Sequence, residues 1–148
     1  GYGSSRHTLV LTFNNDILSA AAAVTTTSGN ASAFVSEGKV FVTLSNVANA
    51  QTVTVQLGAV TDYFAQTSSG ATIAVGFLMG DVNGDGVVNS ADATIVRNRS
   101  GQSVDAANFR CDINLDSSIN SADATSVRSK SGQSLSRADL PIRRVTAR

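Results

Sequence analysis

The chain of 148 residues has very little of the residue types that carry reactive chemistry. It contains one Cys, one Pro, one His and no Trp. A single cysteine, Cys111, excludes an internal disulfide and any metal site built from several thiolates. His7 stands alone near the start, and no nucleophile elbow, Cys/His pair or zinc-ligand spacing is present. The chain is therefore predicted not to be an enzyme.

Aromatic residues and long apolar runs are also scarce. Aromatics make up 5% of the chain, and no apolar run reaches the length of a membrane span. Basic and aromatic residues are not interleaved, so no nucleic-acid partner is indicated. The start, "GYGSSRHTLVLTF", lacks the order of a signal peptide, and a mature product or a piece of a longer protein is expected. After residue 80, nine Arg or Lys stand against eight Asp, and two divalent cations would add four positive charges.

What is abundant in the first half is alternation of apolar and polar residues. It runs through "TLVLTF", "KVFVTL", "TVTVQL" and "TIAVGFLM", with turn-forming Gly, Asn, Ser and Asp in the gaps. Alternation with β-branched residues is the pattern of half-buried strands. With "AAAVTTT" and "SAFVS" it predicts about six strands, which is typical of a small β-sandwich over residues 1–79.

The stretches "HTLVLTFNNDI" and "NAQTVTVQLGAVTDYFAQ" resemble bacterial immunoglobulin-like domains. The resemblance implies an Ig-like sandwich, although the turn Tyr63–Gln66 departs from the usual pattern. Such a sandwich normally has seven or more strands. A missing first strand would leave an apolar sheet edge that upstream chain, the C-terminal tail or another protomer should cover.

The second half contains an internal repeat at an offset of 31 residues. Residues 81–103 and 112–134 share 15 identities in 23 positions. In each copy, oxygen-bearing side chains stand at positions 1, 3, 5, 9 and 12, and position 7 offers a backbone carbonyl, which is the spacing of an EF-hand calcium loop. The predicted ligands are Asp81, Asn83, Asp85, Val87, Asn89 and Asp92 in the first loop, and Asp112, Asn114, Asp116, Ser118, Asn120 and Asp123 in the second.

The two loops differ where the chain must turn sharply. The first has Gly84 and Gly86, and the second has Leu115 and Ser117 at the equivalent positions. A side chain in a left-handed conformation costs about 1 kcal/mol, so the second of the two Ca²⁺ sites is predicted to be weaker. The apolar residue at position 8 of each loop, Val88 or Ile119, predicts a short strand contact between the paired loops.

Two calcium loops, each followed by a helix-like segment such as "ADATIVRNRSG", resemble a type I dockerin. The resemblance implies a small α-helical, calcium-dependent module over residues 80–136, followed by a tail over 137–148. It also implies docking onto a cohesin domain in an extracellular bacterial assembly. Cohesin contacts are then expected from loop positions 10 and 11 and from one later basic residue in each copy: Ser90, Ala91, Arg97, Ser121, Ala122 and Arg128.

Two functions remain open at this level. The first is a non-catalytic, calcium-dependent module that docks onto a cohesin-like domain outside a bacterial cell. The alternative is a structural protomer of an extracellular filament or surface layer, in which neighbouring copies of the chain associate by strand addition at the Ig-like edge. The tail, with its alternating "IRRVTAR", is a candidate for such a contact.

Overall fold

The computed structural model describes residues 6–20 and 24–135, and for residues 24 and 25 only the backbone. These residues form two compact units. The first comprises residues up to 48 together with 52–75, and the second comprises 49–51 together with the chain from 76 onward. The division into domains 1–79 and 80–136 stays a prediction, and residues 136–148, which include the predicted tail, lie outside the described residues.

The described chain is mostly β-sheet with two helices. Its helices are α1 (Ser90–Asn98) and α2 (Ser121–Ser129), with a short 3-10 helix at Phe109–Cys111. Its strands are β1 (Arg6–Leu11), β2 (Ile17–Ala20), β3 (Val24–Thr26), β4 (Asn30–Ser36), β5 (Lys39–Ser45), β6 (Gln51–Leu57), β7 (Val60–Asp62), β8 (Thr67–Ser68) and β9 (Ala71–Phe77). No helix among the described residues has the length and apolar character needed to cross a membrane.

The described residues form nine strands, whereas about six were expected, because several strands are too short to display a period of two. β8 has two residues and β3 and β7 have three each, whereas alternation becomes recognisable only over four or more residues. The strands form three sheets of order β1-β5-β4, β2-β7-β8 and β3-β6-β9, and the first two are antiparallel throughout. The Ig-like sandwich stays a prediction.

The core of the first unit is built from the inward faces of β5 and β6. Val40, Val42 and Leu44 of β5 are fully buried, as are Val53 and Val55 of β6. These are the residues that alternation in "KVFVTL" and "TVTVQL" places on one face. Burying each such side chain contributes about 1.5–3 kcal/mol relative to leaving it exposed, so these two strands account for much of the stability of the unit.

β1 lies at the edge of its sheet. It pairs with β5 in register from Arg6 opposite Ser45 to Leu11 opposite Val40, and the sheet order gives it no second strand neighbour within residues 6–20 and 24–135. Its inward residues, Leu9 and Leu11, are only half-buried. An edge of this kind can accept a strand from another chain.

The carboxylate of Asp62 holds together the turn that follows β7. Its Oδ1 accepts from the backbone N–H groups of Phe64 and Gln66 at 2.9 Å each, and its Oδ2 accepts from Asn15 Nδ2 at 2.6 Å. Burial raises the pKa of Asp62, but the hydrogen bonds from Asn15, Gln66 and Phe64 together outweigh it and lower the pKa below its ordinary value.

This lowered pKa predicts an acid-dependent loss of stability in the first unit. A carboxylate with a lower pKa in the folded than in the unfolded chain stabilises the fold above its unfolded pKa of about 3.9, and this contribution is lost as the pH falls through the folded pKa. Urea unfolding of the first unit between pH 6 and pH 2 should show this slope in the natural chain. Asp62→Asn should flatten it, and Asn15→Ala, which removes one donor, should reduce it. An unchanged slope in Asp62→Asn would show that other groups carry the pH dependence.

Candidate metal centre

The second unit is organised around the two copies of the repeat. Its buried core is Val88, Ala93, Val96, Cys111, Ile119, Ala124 and Val127. Three pairs in this set are 31 residues apart, so the copies contribute equivalent side chains to one shared core. Cys111 is fully buried, and burial raises the pKa of its thiol.

Each helix begins directly at the end of its loop through a capping box. Asn89 is the N-cap of α1 and its Oδ1 accepts from the backbone N–H of Ala91 at 2.7 Å, while the backbone N–H of Asn89 donates to Asp92 Oδ2 at 2.9 Å. Asn120 and Asp123 repeat this at the start of α2. From the sequence, these four residues are predicted only as calcium ligands, although a polar residue three positions before an acidic one at the start of an apolar run also signals a helix start.

The last carboxylate of each loop is fully buried. The other oxygen of Asp92, Oδ1, accepts from the backbone N–H groups of Val82 at 2.9 Å and Asn83 at 3.3 Å. In the second loop Asp123 Oδ1 accepts from Ile113 at 2.8 Å and Asn114 at 3.2 Å. These donors are uncharged amides. They fix the carboxylate and leave its negative charge to be compensated by a cation.

The first carboxylate of each loop gathers the amides of the turn. Asp81 accepts three backbone N–H groups, from Gly84, Asp85 and Gly86, at 2.8–3.1 Å. Asp112 accepts two, from Asp116 at 3.1 Å and Ser117 at 3.0 Å. The first loop is thus wound more completely around its first carboxylate than the second.

The predicted ligands in the middle of each loop are exposed to solvent: Asn83, Asp85, Asn114 and Asp116. Asn83 Nδ2 donates to Asp85 Oδ2 at 2.8 Å, and Asn114 Nδ2 donates to Asp116 Oδ2 at 2.7 Å. At position 7, the carbonyl of Ser118 also accepts from Asn120 Nδ2 at 3.3 Å. The structure therefore gives the equivalent residues of the two loops closely matching hydrogen bonds.

The chemistry of these donors fits calcium. Every predicted ligand atom is an oxygen, from a carboxylate, an amide side chain or a backbone carbonyl, and Ca²⁺ takes six to eight oxygen ligands. Across the described ranges, no three or more His, Cys, Asp or Glu side chains form a group able to hold a metal on their own. The predicted ligand oxygens are the kind that hard cations such as Ca²⁺ prefer, whereas zinc is commonly held by nitrogen and sulfur.

The expected strand contact between the two loops is wrong. Instead, each loop pairs with the segment that follows the helix of the other copy. The N–H of Gly132 donates to the carbonyl of Val88 at 2.9 Å, and the N–H of Gly101 donates to the carbonyl of Ile119 at 2.8 Å. Bridges between Val87 and Ser134 and between Ser103 and Ser118 continue this exchange. The reason is that "SGQS" follows each helix and offers free backbone groups where the chain turns back.

The side chain of Asn49 forms two long-range hydrogen bonds that the sequence did not indicate. Its Nδ2 donates to Gln133 Oε1 at 2.7 Å, and its Oδ1 accepts from the backbone N–H of Met79 at 2.6 Å. Asn49 lies between β5 and β6, yet residues 49–51 group with the second unit. No local signal distinguishes this asparagine from others in turns, because both of its partners are distant in the sequence.

At the two turn positions, both loops have a left-handed backbone, but only the first loop has glycine there. Leu115 has φ +60° and Ser117 has φ +69°, and the equivalent Gly84 and Gly86 have φ +77° and +84°. All four positions are left-handed, where a Cβ costs about 1 kcal/mol. Leu115 is also 83% exposed, so its side chain gains little from packing in return.

Leu115→Gly is therefore expected to raise the calcium affinity of the second loop by about fivefold, the equivalent of about 1 kcal/mol. Isothermal titration calorimetry of the two sites would measure this. Gly84→Ala is the matched control, since it places a Cβ at the equivalent position of the first loop and should weaken that loop by a similar factor. If Leu115→Gly left both affinities unchanged, backbone strain would not be the source of the asymmetry.

The residues predicted to contact a partner are all exposed. Ser90 and Ala91 stand in the first turn of α1 and Arg97 in its last turn. Ser121, Ala122 and Arg128 occupy the same places in α2. The structure thus leaves both equivalent sets accessible, one on each helix.

Comparison with protein-family models finds the dockerin type I domain over residues 79–130. This match falls in the second unit and supports the resemblance that the repeat predicted. Dockerin domains are non-catalytic docking modules that generally bind calcium and pair with cohesin domains. No curated protein and no solved structure matches the chain, and no family model supports the Ig-like resemblance of the first unit.

Proposed function

We propose that this chain is a non-catalytic, extracellular bacterial assembly module that holds two Ca²⁺ ions and docks onto a cohesin-like domain. The observation that carries the proposal is the duplicated arrangement of Asp92 and Asp123. Each is fully buried, accepts from three uncharged backbone amides and completes the capping box of a helix that exposes one arginine in its last turn.

The proposed calcium ligands are the twelve loop residues named above. Calcium, when bound, supplies the positive charge that offsets the three carboxylates of each loop. The chain's own part is to hold those carboxylates in place. Asp81 and Asp112 gather the amides of the turn, and Asp92 and Asp123 join the start of each loop to the start of its helix. Loop closure therefore fixes where α1 and α2 begin.

The proposed docking surface consists of Ser90, Ala91 and Arg97 on α1 and Ser121, Ala122 and Arg128 on α2. Small residues in the first turn let a partner approach closely, and an arginine one to two turns later can pair with a carboxylate on that partner. Arg97 Nη2 lies 3.5 Å from Thr94 Oγ1, so a neutral neighbour orients it without neutralising its charge.

Binding to a panel of type I cohesin domains tests the proposal. We expect binding with Ca²⁺ and none with EDTA. Arg97→Ala with Arg128→Ala should weaken binding at least a hundredfold, whereas Arg110→Ala, an exposed arginine outside both helices, should not. If no cohesin bound, or if the double substitution had no effect, the docking proposal would be wrong. Calcium binding by calorimetry would then stand as a separate result.

A structural protomer of a filament or surface layer is the second candidate. The position of β1 at a sheet edge favours it, because a neighbouring copy could add a strand there. Electron microscopy of the purified chain with Ca²⁺ should then show filaments or sheets. A proline in β1, for example Thr8→Pro, would remove a backbone donor and should shorten them. Monomers at high concentration would contradict this candidate.

A further inference from the structure

The turn between β7 and β8 exposes two adjacent aromatic side chains. Tyr63 is 66% exposed and Phe64 is 74% exposed, whereas the inward residues of the neighbouring strands are buried. We call residues 63–66 the aromatic tip. Aromatic residues are enriched at the centres of protein interfaces, and adjacent large apolar groups at a surface mark a contact site more often than scattered ones. The tip is in the first unit, outside the dockerin domain.

The aromatic tip is held rigidly before any partner arrives. Asp62 binds the N–H groups of Phe64 and Gln66, and the N–H of Ala65 donates to the carbonyl of Asp62 at 3.1 Å. The N–H of Tyr63 donates to the carbonyl of Asp16 at 3.3 Å. A turn with a fixed backbone loses little conformational entropy on binding, so its exposed rings are well suited to contact a partner.

Two acidic residues lie in segments that backbone hydrogen bonds connect to the tip. Asp16, whose carbonyl binds Tyr63, is exposed, and so is Glu37 in the hairpin that joins β4 to β5. The carbonyl of Gly38 in this hairpin binds the N–H of Ile17, which joins the hairpin to the start of β2. Lys39 follows the hairpin and offsets one of these charges. Aromatic faces beside carboxylates favour a partner that offers guanidinium groups, which both pair with carboxylates and stack on rings.

The chain itself offers such a surface. The exposed sides of α1 and α2 carry Arg97 and Arg128. The carboxylates within these two helices are Asp92 and Asp123, and both are fully buried. The exposed side of each helix therefore carries one arginine together with small and hydroxyl-bearing residues. Charge and side-chain chemistry are thus complementary between the tip and the helices.

We propose that the aromatic tip of one copy of the chain binds the α1–α2 surface of a second copy. The two surfaces differ, so each copy keeps one of them free and the contact can propagate from copy to copy. This rests on the proposed function in one respect, namely that calcium folds the helices. Because the tip and a cohesin-like domain would use the same arginines, a cohesin-like partner should compete with self-association.

Sedimentation velocity with Ca²⁺ from roughly 1 to 200 µM tests the inference. We expect the sedimentation coefficient to rise with concentration and EDTA to abolish the rise. Tyr63→Ser with Phe64→Ser should weaken association at least tenfold. Phe34→Ser is the matched control, because Phe34 is 54% exposed but lies on β4, away from the tip. Circular dichroism should show that both variants remain folded.

Charge exchange gives the sharper test. Asp16→Lys with Glu37→Lys in one chain, and Arg97→Glu with Arg128→Glu in another, should each abolish self-association. Mixing the two chains should restore it, because reversed charges then face each other. A wild-type chain that stays monomeric at 200 µM, tip variants that associate like wild type, or a mixture that stays monomeric would overturn the inference. Tip-dependent binding to a polysaccharide without self-association would also overturn it. Calcium binding and cohesin binding of the wild-type chain are measured separately from its self-association, so the two proposals fail separately.

Discussion

Removal of calcium with EDTA is expected to unfold the second unit while the first keeps its strands. Each loop carries three carboxylates, and Asp92, Asp112 and Asp123 are buried against uncharged backbone amides. At a calcium concentration a hundredfold above the dissociation constant, each bound ion contributes about 2.7 kcal/mol, a large share of the stability of a unit this small.

Hydrogen exchange measured residue by residue would show this directly. With EDTA, protection should be lost across α1 and α2 and kept in β5 and β6, whose Val42 and Val55 are fully buried in a separate core. Magnesium at the same concentration is the control for ionic strength, because it holds its water tightly and fits such loops poorly. Equal protection with and without EDTA would show that the second unit folds without the ion.

Asp92→Ala is expected to have the largest effect of any single substitution in the second unit. It removes the acceptor for the N–H groups of Val82, Asn83 and Asn89, deletes half of the capping box, and takes away a proposed ligand. A buried donor left without an acceptor costs about 1–3 kcal/mol, so the loss should reach several kcal/mol even without calcium. Thermal melting of the helical signal would measure it.

Asp92→Asn separates the two roles of this side chain. Asparagine can still accept from Val82 and Asn83 through one oxygen but carries no charge, so much of the structure should survive while calcium affinity at the first loop falls. Asp85→Asn, at an exposed position of the same loop, should lower affinity with little change in melting temperature. If Asp92→Ala melted like the natural chain, the buried carboxylate would not hold the loop to the helix.

The parts that the sequence predicted are those in which local pattern and burial agree. The alternation in "KVFVTL" identified the buried face of β5 because strand residues two apart share a side. The left-handed backbone at Leu115 and Ser117 was predictable because the repeat aligns these residues with Gly84 and Gly86, which mark where the loop turns sharply. The calcium ligands stay a prediction.

The missed parts depend on residues that are far apart in the sequence. Asn49 is 84 positions from Gln133, and the loops exchange partners across the repeat, so no window of sequence contains both sides of either contact. The short strands β7 and β8 escaped because two or three residues carry no period. The capping role of Asn89 was missed because the same residue spacing also predicts a calcium ligand at this position.

The exchange between the copies explains why the repeat occurs twice. Val88 of the first copy binds the chain after α2, and Ile119 of the second binds the chain after α1. In a single copy, the loop would lack the backbone hydrogen-bond partner that the other copy provides, and half of the shared core would be missing. We therefore expect two copies, in one chain or from two chains, to be the smallest number that folds. Deletion of either copy should unfold the other.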